Sequence, residues 1–177
     1  MKYMLPIAFC LICLCAFSQA DVVEYSRVVA APDSASSKVL YSRSKAWLFE
    51  TYQDAESVID IDDPEGLLIG GTGAVTLTVQ YRRRVIYQDA TYRLKVEHKD
   101  GRCRISASNI TFLVRNNMAV AAGVGDPVVR VPAENWFIDN PDGKGVKEIK
   151  AAAEEYFDGL FDGFERAHLN LPKPEEW

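Results

Sequence analysis

The sequence predicts an α+β fold in which one antiparallel sheet is covered by helices. Three observations predict it: an early amphipathic helix, a run of alternating segments joined by tight turns, and a second amphipathic helix near the C-terminus. Strands joined by tight turns pair antiparallel, and helices outside such a run pack on one face of the sheet. The predicted order of elements along the chain is β-α-β-β-β-β, followed by the last helix.

The early helix is predicted over residues 34–52. Its apolar and small side chains recur every three or four residues, which places them on one side of a helix. That stripe consists of Leu40, Tyr41, Ser44, Trp47, Leu48, Thr51 and Tyr52. We expect Trp47 to anchor the core, because burying an indole removes a large apolar area from water. Pro32, Asp33 and Ser34 predict the start of the helix, since short oxygen-bearing side chains accept from its first free N–H groups.

Five strands are predicted from β-branched residues and from the alternation of apolar and polar side chains. They are residues 21–30, 56–62, 75–81, 91–97 and 103–112. Asp100 and Gly101 form the strongest hairpin-turn pattern in the chain. Three glycines between residues 70 and 73 predict a bulge or bend before the third strand, and a phase shift at Ser108 predicts a second bulge.

The C-terminal part divides into an irregular connection, a helix and a tail. Residues 113–145 have no clear periodicity, and Trp136 within them must be buried or form a contact surface. Residues 146–168 are predicted as a strongly amphipathic helix, and residues 169–177 as a frayed tail. Gly159 and Gly163 are costly inside a helix, so their spacing predicts that another element approaches closely there.

The first 20 residues have the pattern of a secretory signal peptide. Lys2 is followed by an apolar run over residues 5–17 and by a small-x-small cleavage site that ends at Ala20. The apolar run is too short to span a bilayer, and no small residue precedes a cysteine as in a lipoprotein signal. We therefore expect export, to the periplasm or beyond, followed by a single domain over residues 21–168.

Cysteine usage and net charge limit the possible partners. Three of the four cysteines lie in the leader, so only Cys103 would remain and a disulfide framework is excluded. Its place in a strand pattern favours a buried small hydrophobe. The chain is acidic, with a formal net charge of −5, which argues against nonspecific binding to nucleic acid.

Several short motifs together resemble one known family. These are Tyr25, Val28 and Val29; Ser37, Lys38, Leu40, Tyr41, Arg43, Lys45 and Trp47; Val58 and Ile59; Gly66, Gly70 and Gly73; and Lys99, Asp100, Gly101, Arg102, Cys103 and Arg104. The chain resembles the exported bacterial domain of unknown function DUF4468 over residues 22–112. The resemblance implies a TBP-like fold and brings no catalytic residues with it. Such a fold does not imply DNA binding, because function belongs to sites rather than folds.

The patterns of common catalytic and metal sites are not met. The glycine-rich residues 66–73 lack the Gly-Lys-Ser/Thr ending of a P-loop and lead into a strand, where phosphate loops need a helix. The acidic residues 60–65 do not keep the register of a calcium loop. His98 and His168 are far apart in sequence and have no cysteine partners. We therefore expect no cofactor, no metal and no enzymatic activity.

Basic residues concentrate in one predicted hairpin system. They are Arg82, Arg83, Arg84, Arg93, Lys95, Lys99, Arg102 and Arg104. In an acidic protein this group could dock an anionic glycan, a lipid headgroup or an acidic envelope protein. It could equally be a solvated sheet face that discourages edge pairing. The candidate binding residues are therefore Arg82, Arg83, Arg84, Arg93, Lys95, Arg102, Arg104 and Trp136.

Two functions remain open at this point. The first is an exported, noncatalytic binding or interaction module with an unknown partner, neither nucleic acid nor the membrane interior. The alternative is a carrier that holds a hydrophobic small molecule between the sheet and the helix of residues 146–168. An envelope hydrolase has no motif to support it. The sequence leaves the partner and the oligomeric state open.

Overall fold

The structure, a computed structural model, describes residues 22–31, 35–52, 54–115 and 128–169. The strands are Tyr25–Ala30 (β1), Ile59–Asp63 (β2), Leu68–Tyr81 (β3), Arg84–Lys99 (β4), Arg102–Arg115 (β5) and Val128–Pro132 (β6). The helices are Ser37–Thr51 (α1), Ala55–Val58 (α2), Ala133–Phe137 (α3) and Val146–Leu169 (α4). The predicted leader at residues 1–20 lies outside the described residues, as does all but the first residue of the predicted tail.

All strands belong to one antiparallel sheet in the order β1-β5-β4-β3-β2. The long β5 has two partners on its outer side, because β1 pairs with its first half and β6 with its second half. The α+β fold class with an antiparallel sheet and a C-terminal helix is thus confirmed.

The two long helices cover one face of this sheet and form the core with it. The stripe of α1 is buried from Leu40 to Leu48, whereas Thr51 at its end is exposed. Trp47 packs edge-on against Phe164 of α4 with ring centroids 5.0 Å apart. Phe157 of α4 stacks on Tyr25 of β1 at 4.7 Å and meets Tyr92 of β4 at 5.1 Å. Aromatic side chains therefore fill the space between the sheet and α4.

The turn between β4 and β5 stabilises the start of α1. Ser36 is the N-cap residue, and its side chain makes no capping hydrogen bond. Asp100 Oδ1 instead accepts a hydrogen bond from the backbone N–H of Ser37 at 2.8 Å. Gly101 has a φ of +72°, which its missing side chain permits, and its N–H donates to Ala35 O at 3.0 Å. The start predicted at Pro32, Asp33 and Ser34 lies on residues outside the described part.

Both predicted bulges are present. The register of β2 against β3 shifts between Ile59 and Ile61, opposite Gly71 and Gly70. A Cβ added to Gly71 would lie 2.1 Å from the carbonyl oxygen of Val58, so the close approach of the two strands requires glycine there. The second irregularity lies in β5, where the pairing with β4 shifts beside Asn109, which has a φ of +50°.

Three elements were not predicted. The strand predicted over residues 56–62 is wrong in its first part, because residues 55–58 form α2 and β2 begins only at Ile59. Residues 113–145, predicted as irregular, contain the end of β5, the strand β6 and the helix α3. Five residues ending in proline give a weak strand pattern, and β6 forms because it pairs with the second half of β5. Long-range pairing, which local periodicity cannot reveal, explains this omission.

The predicted close approach of another element to the helix glycines is wrong for Gly159 and is found only at Gly163. Nothing lies within 4 Å of a Cβ added to Gly159, which therefore faces solvent, whereas Gly163 lies 3.9 Å from Trp47 Nε1 by the same measure. Among the described helices, none is long and apolar enough to cross a membrane.

Candidate functional site

The face of the sheet opposite the helices carries the predicted basic residues of β4 and β5. Because Tyr92, Leu94 and Val96 point into the core, the intervening side chains of β4 point away from the helices. Those on this helix-free face are Arg93, Lys95, Glu97 and Lys99, together with Arg102, Arg104, Ser106 and Ser108 of β5.

The structure divides the predicted basic set in two. Arg93, Lys95, Lys99, Arg102 and Arg104, here named the hairpin-end group, lie towards the β4–β5 turn. Arg82, Arg83 and Arg84, here named the tip arginines, lie at the opposite end of β4, in the β3–β4 turn and beside it. At about 3.3 Å per residue, the nearest members of the two groups, Arg84 and Arg93, are roughly 30 Å apart along the strand, and the two turns are roughly 50 Å apart. One ligand of ordinary size cannot contact both groups.

Three cations of the hairpin-end group already have carboxylate partners. Arg93 pairs with Asp60 of β2 across β3. Lys95 Nζ lies 2.9 Å from Glu97 Oε1, and Arg104 Nη2 lies 3.2 Å from Glu24 Oε1. Such partly exposed pairs add little stability, about 0–1 kcal/mol each. Their charges are largely neutralised, so they attract a ligand less than sequence alone indicates.

Lys99 and Arg102 differ from these three cations. Both are exposed, and within the described residues neither forms an ion pair. Together with Val28, Glu97, Cys103 and Arg104 they line a surface pocket of about 260 Å³. Val28, an apolar lining residue among these charged side chains, is 62% exposed. A ligand with an anionic group beside a small apolar one would fit these contacts.

Glu97 keeps its negative charge inside this pocket. Its hydrogen bond from Lys95 lowers the pKa of the carboxyl, burial opposes this, and Arg104 and Lys99 lower it further. The rim therefore remains a set of fixed charges at neutral pH, with cations in excess.

The tip arginines surround a second depression. It has a volume of about 610 Å³ and is lined by Tyr81, Arg82, Arg83, Arg84 and Ile86. Arg82 has a φ of +56°, a region that side chains usually avoid, and its guanidinium lies 5.3 Å from the ring centroid of Tyr81. This cation–π contact partly offsets the backbone cost.

Trp136 lies on the short helix α3 rather than on an irregular loop. Its indole stacks on Phe112 of β5 with centroids 4.8 Å apart and an interplanar angle of 17°, and it is partly buried against the core. Packing against the core thus accounts for the position of Trp136, and we expect Trp136→Ala to lower the melting temperature.

A buried polar bridge that sequence analysis did not predict joins α1, β4 and α4. Ser44 Oγ lies 2.7 Å from His98 Nε2 and 3.0 Å from His168 Nε2. The Nδ1 atoms of the two rings donate to the carbonyls of Leu67 at 2.7 Å and Phe164 at 2.8 Å. Burial lowers the pKa of both imidazoles, and these carbonyl acceptors oppose the effect. Ser44 is fully buried, so this bridge serves packing rather than chemistry on a ligand.

The only sequence clue to the bridge is Ser44 itself, a hydroxyl in the apolar stripe of α1. Buried polar atoms need partners, so a serine in that stripe indicates a polar residue opposite it. The sequence does not show which residue that is.

A second polar cluster consists of three tyrosine hydroxyls. Tyr92 Oη lies 2.8 Å from Tyr52 Oη and 2.8 Å from Tyr156 Oη, linking β4 to the end of α1 and to α4. Burial raises the pKa of Tyr52 to about 12 and also raises that of Tyr92. The hydroxyls stay protonated and act as structural donors.

Other candidate reactive groups are shielded. Cys103 is buried, and burial raises the pKa of its thiol to about 12, so it is not a reactive thiolate. No cluster of three or more metal-ligating side chains occurs in the part of the chain that the structure describes.

These features define a class of protein, an α+β domain with helices on one face of an antiparallel sheet and a charged opposite face that no described helix covers. A family model described as a domain of unknown function (DUF4468) with TBP-like fold matches residues 25–113, and the chain belongs to this family. The resemblance inferred from the sequence is confirmed, and no catalytic family is indicated.

Two solved structures share the fold. A TBP-like protein from Parabacteroides distasonis ATCC 8503 superposes with a TM-score of 0.69 at 19% identity, covering 85% of this chain and 95% of the other. A DUF4468 family protein from Bacteroides ovatus ATCC 8483 gives 0.66 at 18% identity, covering 87% and 90%. A comparison with curated proteins found no match.

Proposed function

We propose that this protein is an exported, noncatalytic binding module whose contact surface is the hairpin end of the helix-free sheet face. The observation that carries the proposal is the pocket beside Val28, where Lys99 and Arg102 add positive charge and form no ion pair among the described residues, although the Glu97 carboxylate in the same pocket interacts with Lys99. The ligand class is an anionic group on a glycan, a lipid headgroup or an acidic envelope protein.

The distribution of charge distinguishes Lys99 and Arg102 from Arg93, Lys95 and Arg104, which already have carboxylate partners. Charged side chains that serve only to keep the sheet face soluble can form ion pairs with one another, as Arg93 does with Asp60. Lys99 and Arg102 remain unpaired around an exposed apolar side chain in a protein with a net charge of −5. Unpaired cations of this kind raise the rate and affinity of anion binding.

The carrier alternative has less support. The ring contacts of Phe157 with Tyr25 and Tyr92 occupy the space in which a hydrophobic ligand would lie. A pocket of about 350 Å³ between β3 and α4 is open to solvent and lined by Thr76, Leu77, Thr78, Ala152, Glu155 and Tyr156. Its mixed lining suits water better than a lipid chain.

Export rests on the leader pattern of residues 1–20 alone. Determining the N-terminal residue of the protein recovered from an envelope fraction tests it, with cleavage after Ala20 as the expected result. Recovery of the intact chain from the cytoplasm would contradict it.

The binding surface is tested with three defined probes: vesicles containing an anionic phospholipid, a sulfated polysaccharide and a polyglutamate peptide. We expect the wild-type protein to bind at least one, with affinity that falls as salt rises. The double variant Lys99→Glu, Arg102→Glu should lose that binding, while the matched double control Lys144→Glu, Lys150→Glu, at exposed positions before and within α4, should keep it. Equal binding by both variants, or no binding to any probe, would refute the proposed surface.

A further inference from the structure

The first five residues of β4 have a partner strand on only one side among the residues that the structure describes. On one side, residues 84–88 pair with β3 in an unbroken register from Arg84 opposite Tyr81 to Gln88 opposite Leu77. On the other side, β5 begins to pair with β4 only at Asp89, opposite Leu113. In an antiparallel sheet, alternate residues direct their N–H and C=O groups to each neighbour. This edge therefore offers a row of backbone groups that no described strand occupies.

The side chains along this edge are unusually apolar and exposed. Val85 is 47% exposed, Ile86 is 36% exposed and Tyr87 is 74% exposed. Alternation places Val85 and Tyr87 on the helix-free face and Ile86 on the opposite face. The side chains of an added strand would thus contact apolar side chains of β4 on both faces of the sheet.

We propose that the outer edge of β4 over residues 84–88 binds an extended acidic segment of another protein as an added antiparallel strand. This surface lies at the opposite end of β4 from the pocket beside Val28, so it is independent of the proposed binding site. Main-chain hydrogen bonds supply affinity in this mode, and side chains on alternate positions supply specificity.

The tip arginines define the chemistry of the segment. Across the described ranges none of them forms an ion pair, although the protein is acidic overall. Arg82 also holds a positive φ at which glycine would be relaxed. Three adjacent, unpaired cations beside this edge favour carboxylates on the incoming strand, at the end that reaches Arg84.

The edge is not built to repel strands. Natural edges are commonly protected by a charge or a proline within the strand. Here the central residues Val85, Ile86 and Tyr87 carry no charge, and the arginines lie only at one end. The pattern therefore resembles a binding edge with a charged end more than a guarded edge.

Charge also selects among other occupants. A second copy of the protein would contribute residues 84–88, which contain no carboxylate, and would leave the tip arginines unpaired. A membrane would have to receive the arginines first, because they lie at the turn and the apolar side chains lie behind them. An acidic extended segment satisfies both the edge and the arginines.

The test uses a fluorescent peptide of alternating valine and threonine that ends in three C-terminal glutamates. Antiparallel pairing places its C-terminus beside Arg84. One control peptide has the glutamates at the N-terminus, and another has a central proline, which removes a ladder hydrogen bond. We expect the first peptide to bind, the reversed peptide to bind more weakly, and the proline peptide not to bind.

Protein variants separate this edge from the pocket. Arg83→Glu with Arg84→Glu, and separately Val85→Lys, should each weaken binding of the first peptide by about tenfold or more. The pair Lys99→Glu, Arg102→Glu should leave it within about twofold. Hydrogen exchange should slow at residues 84–88 when the peptide binds. Unchanged affinity in the tip variants, equal binding of the proline peptide, or dimerisation or vesicle binding that requires this edge would overturn the proposal.

Discussion

The two faces of the sheet differ in what their side chains contact. On the covered face, Phe164 is fully buried against Trp47, and Leu94 and Val96 are buried below the helices. On the helix-free face, Arg93 and Lys95, side chains of the same strand, form partly exposed ion pairs. One strand pattern therefore builds both surfaces, and stability is concentrated on the first. The second face can vary its charges at little cost in folding, which suits recognition.

The largest expected effect separates the faces directly. Phe164→Ala removes a fully buried ring and should lower the free energy of unfolding by about 3–5 kcal/mol. Thr78→Ala, on the exposed face of β3, should change it by less than about 0.5 kcal/mol. Urea unfolding of both variants measures the difference. Similar losses of unfolding free energy in the two variants would show that side chains on the helix-free face contribute as much to stability as the core does.

The next largest change in stability is expected at Gly71, where the backbone of Val58 approaches β3 closely. Gly71→Ala places a methyl group against the backbone of Val58, which cannot move as a side chain would, and should cost about 1–3 kcal/mol. The same unfolding measurement checks it. A neutral result would mean that β2 does not lie against β3 in the observed register.

The histidine bridge predicts how stability depends on pH. Burial lowers the pKa of His98 and His168 in the folded protein, whereas in the unfolded chain each has a pKa of about 6.5. The unfolded chain therefore binds more protons below that pH. Stability should be full above about pH 6.5 and should fall as the pH drops towards 5.

Unfolding curves measured across this range provide the check. The double variant His98→Gln, His168→Gln is the control, and its stability should change less over the same interval. A wild-type protein that becomes more stable as the pH falls from 7 to 5 would contradict the lowered pKa values.

The smallest expected effect is a gain. Gly159 lies on the solvent side of α4 with open space around it, so Gly159→Ala should stabilise the protein by about 0.5–1 kcal/mol. A rise in melting temperature shows this. Destabilisation would indicate that an element or partner packs on this side of α4, as the sequence alone suggested.

Local periodicity explains which parts of the fold could be predicted. The buried side chains of α1 and α4 recur with the helical period, and Asp100-Gly101 is by itself a hairpin-turn sequence. These features can therefore be predicted from short stretches of sequence. The strand β6 depends on a partner strand, and the short helix α2 has only one turn. Neither has a local pattern strong enough to predict it.

The sequence predicted which basic residues share a sheet face, but it did not predict which of them form ion pairs. Alternation places Arg93 and Lys95 on one face, but only the fold brings Asp60 to Arg93 from 33 residues away. The same holds for Glu24 and Arg104, which are 80 residues apart in sequence. Such pairings decide which cations stay free, and they follow from strand order rather than from spacing.

Hydrogen exchange of the wild-type protein, with and without a saturating anionic probe, tests whether ligands bind at the proposed hairpin-end surface. We expect slower exchange in residues 97–104 around Lys99 and Arg102, with the core between the sheet and α4 unchanged. Protection confined to that core, around Phe157 and Tyr92, would rule out binding at the hairpin end and favour a carrier.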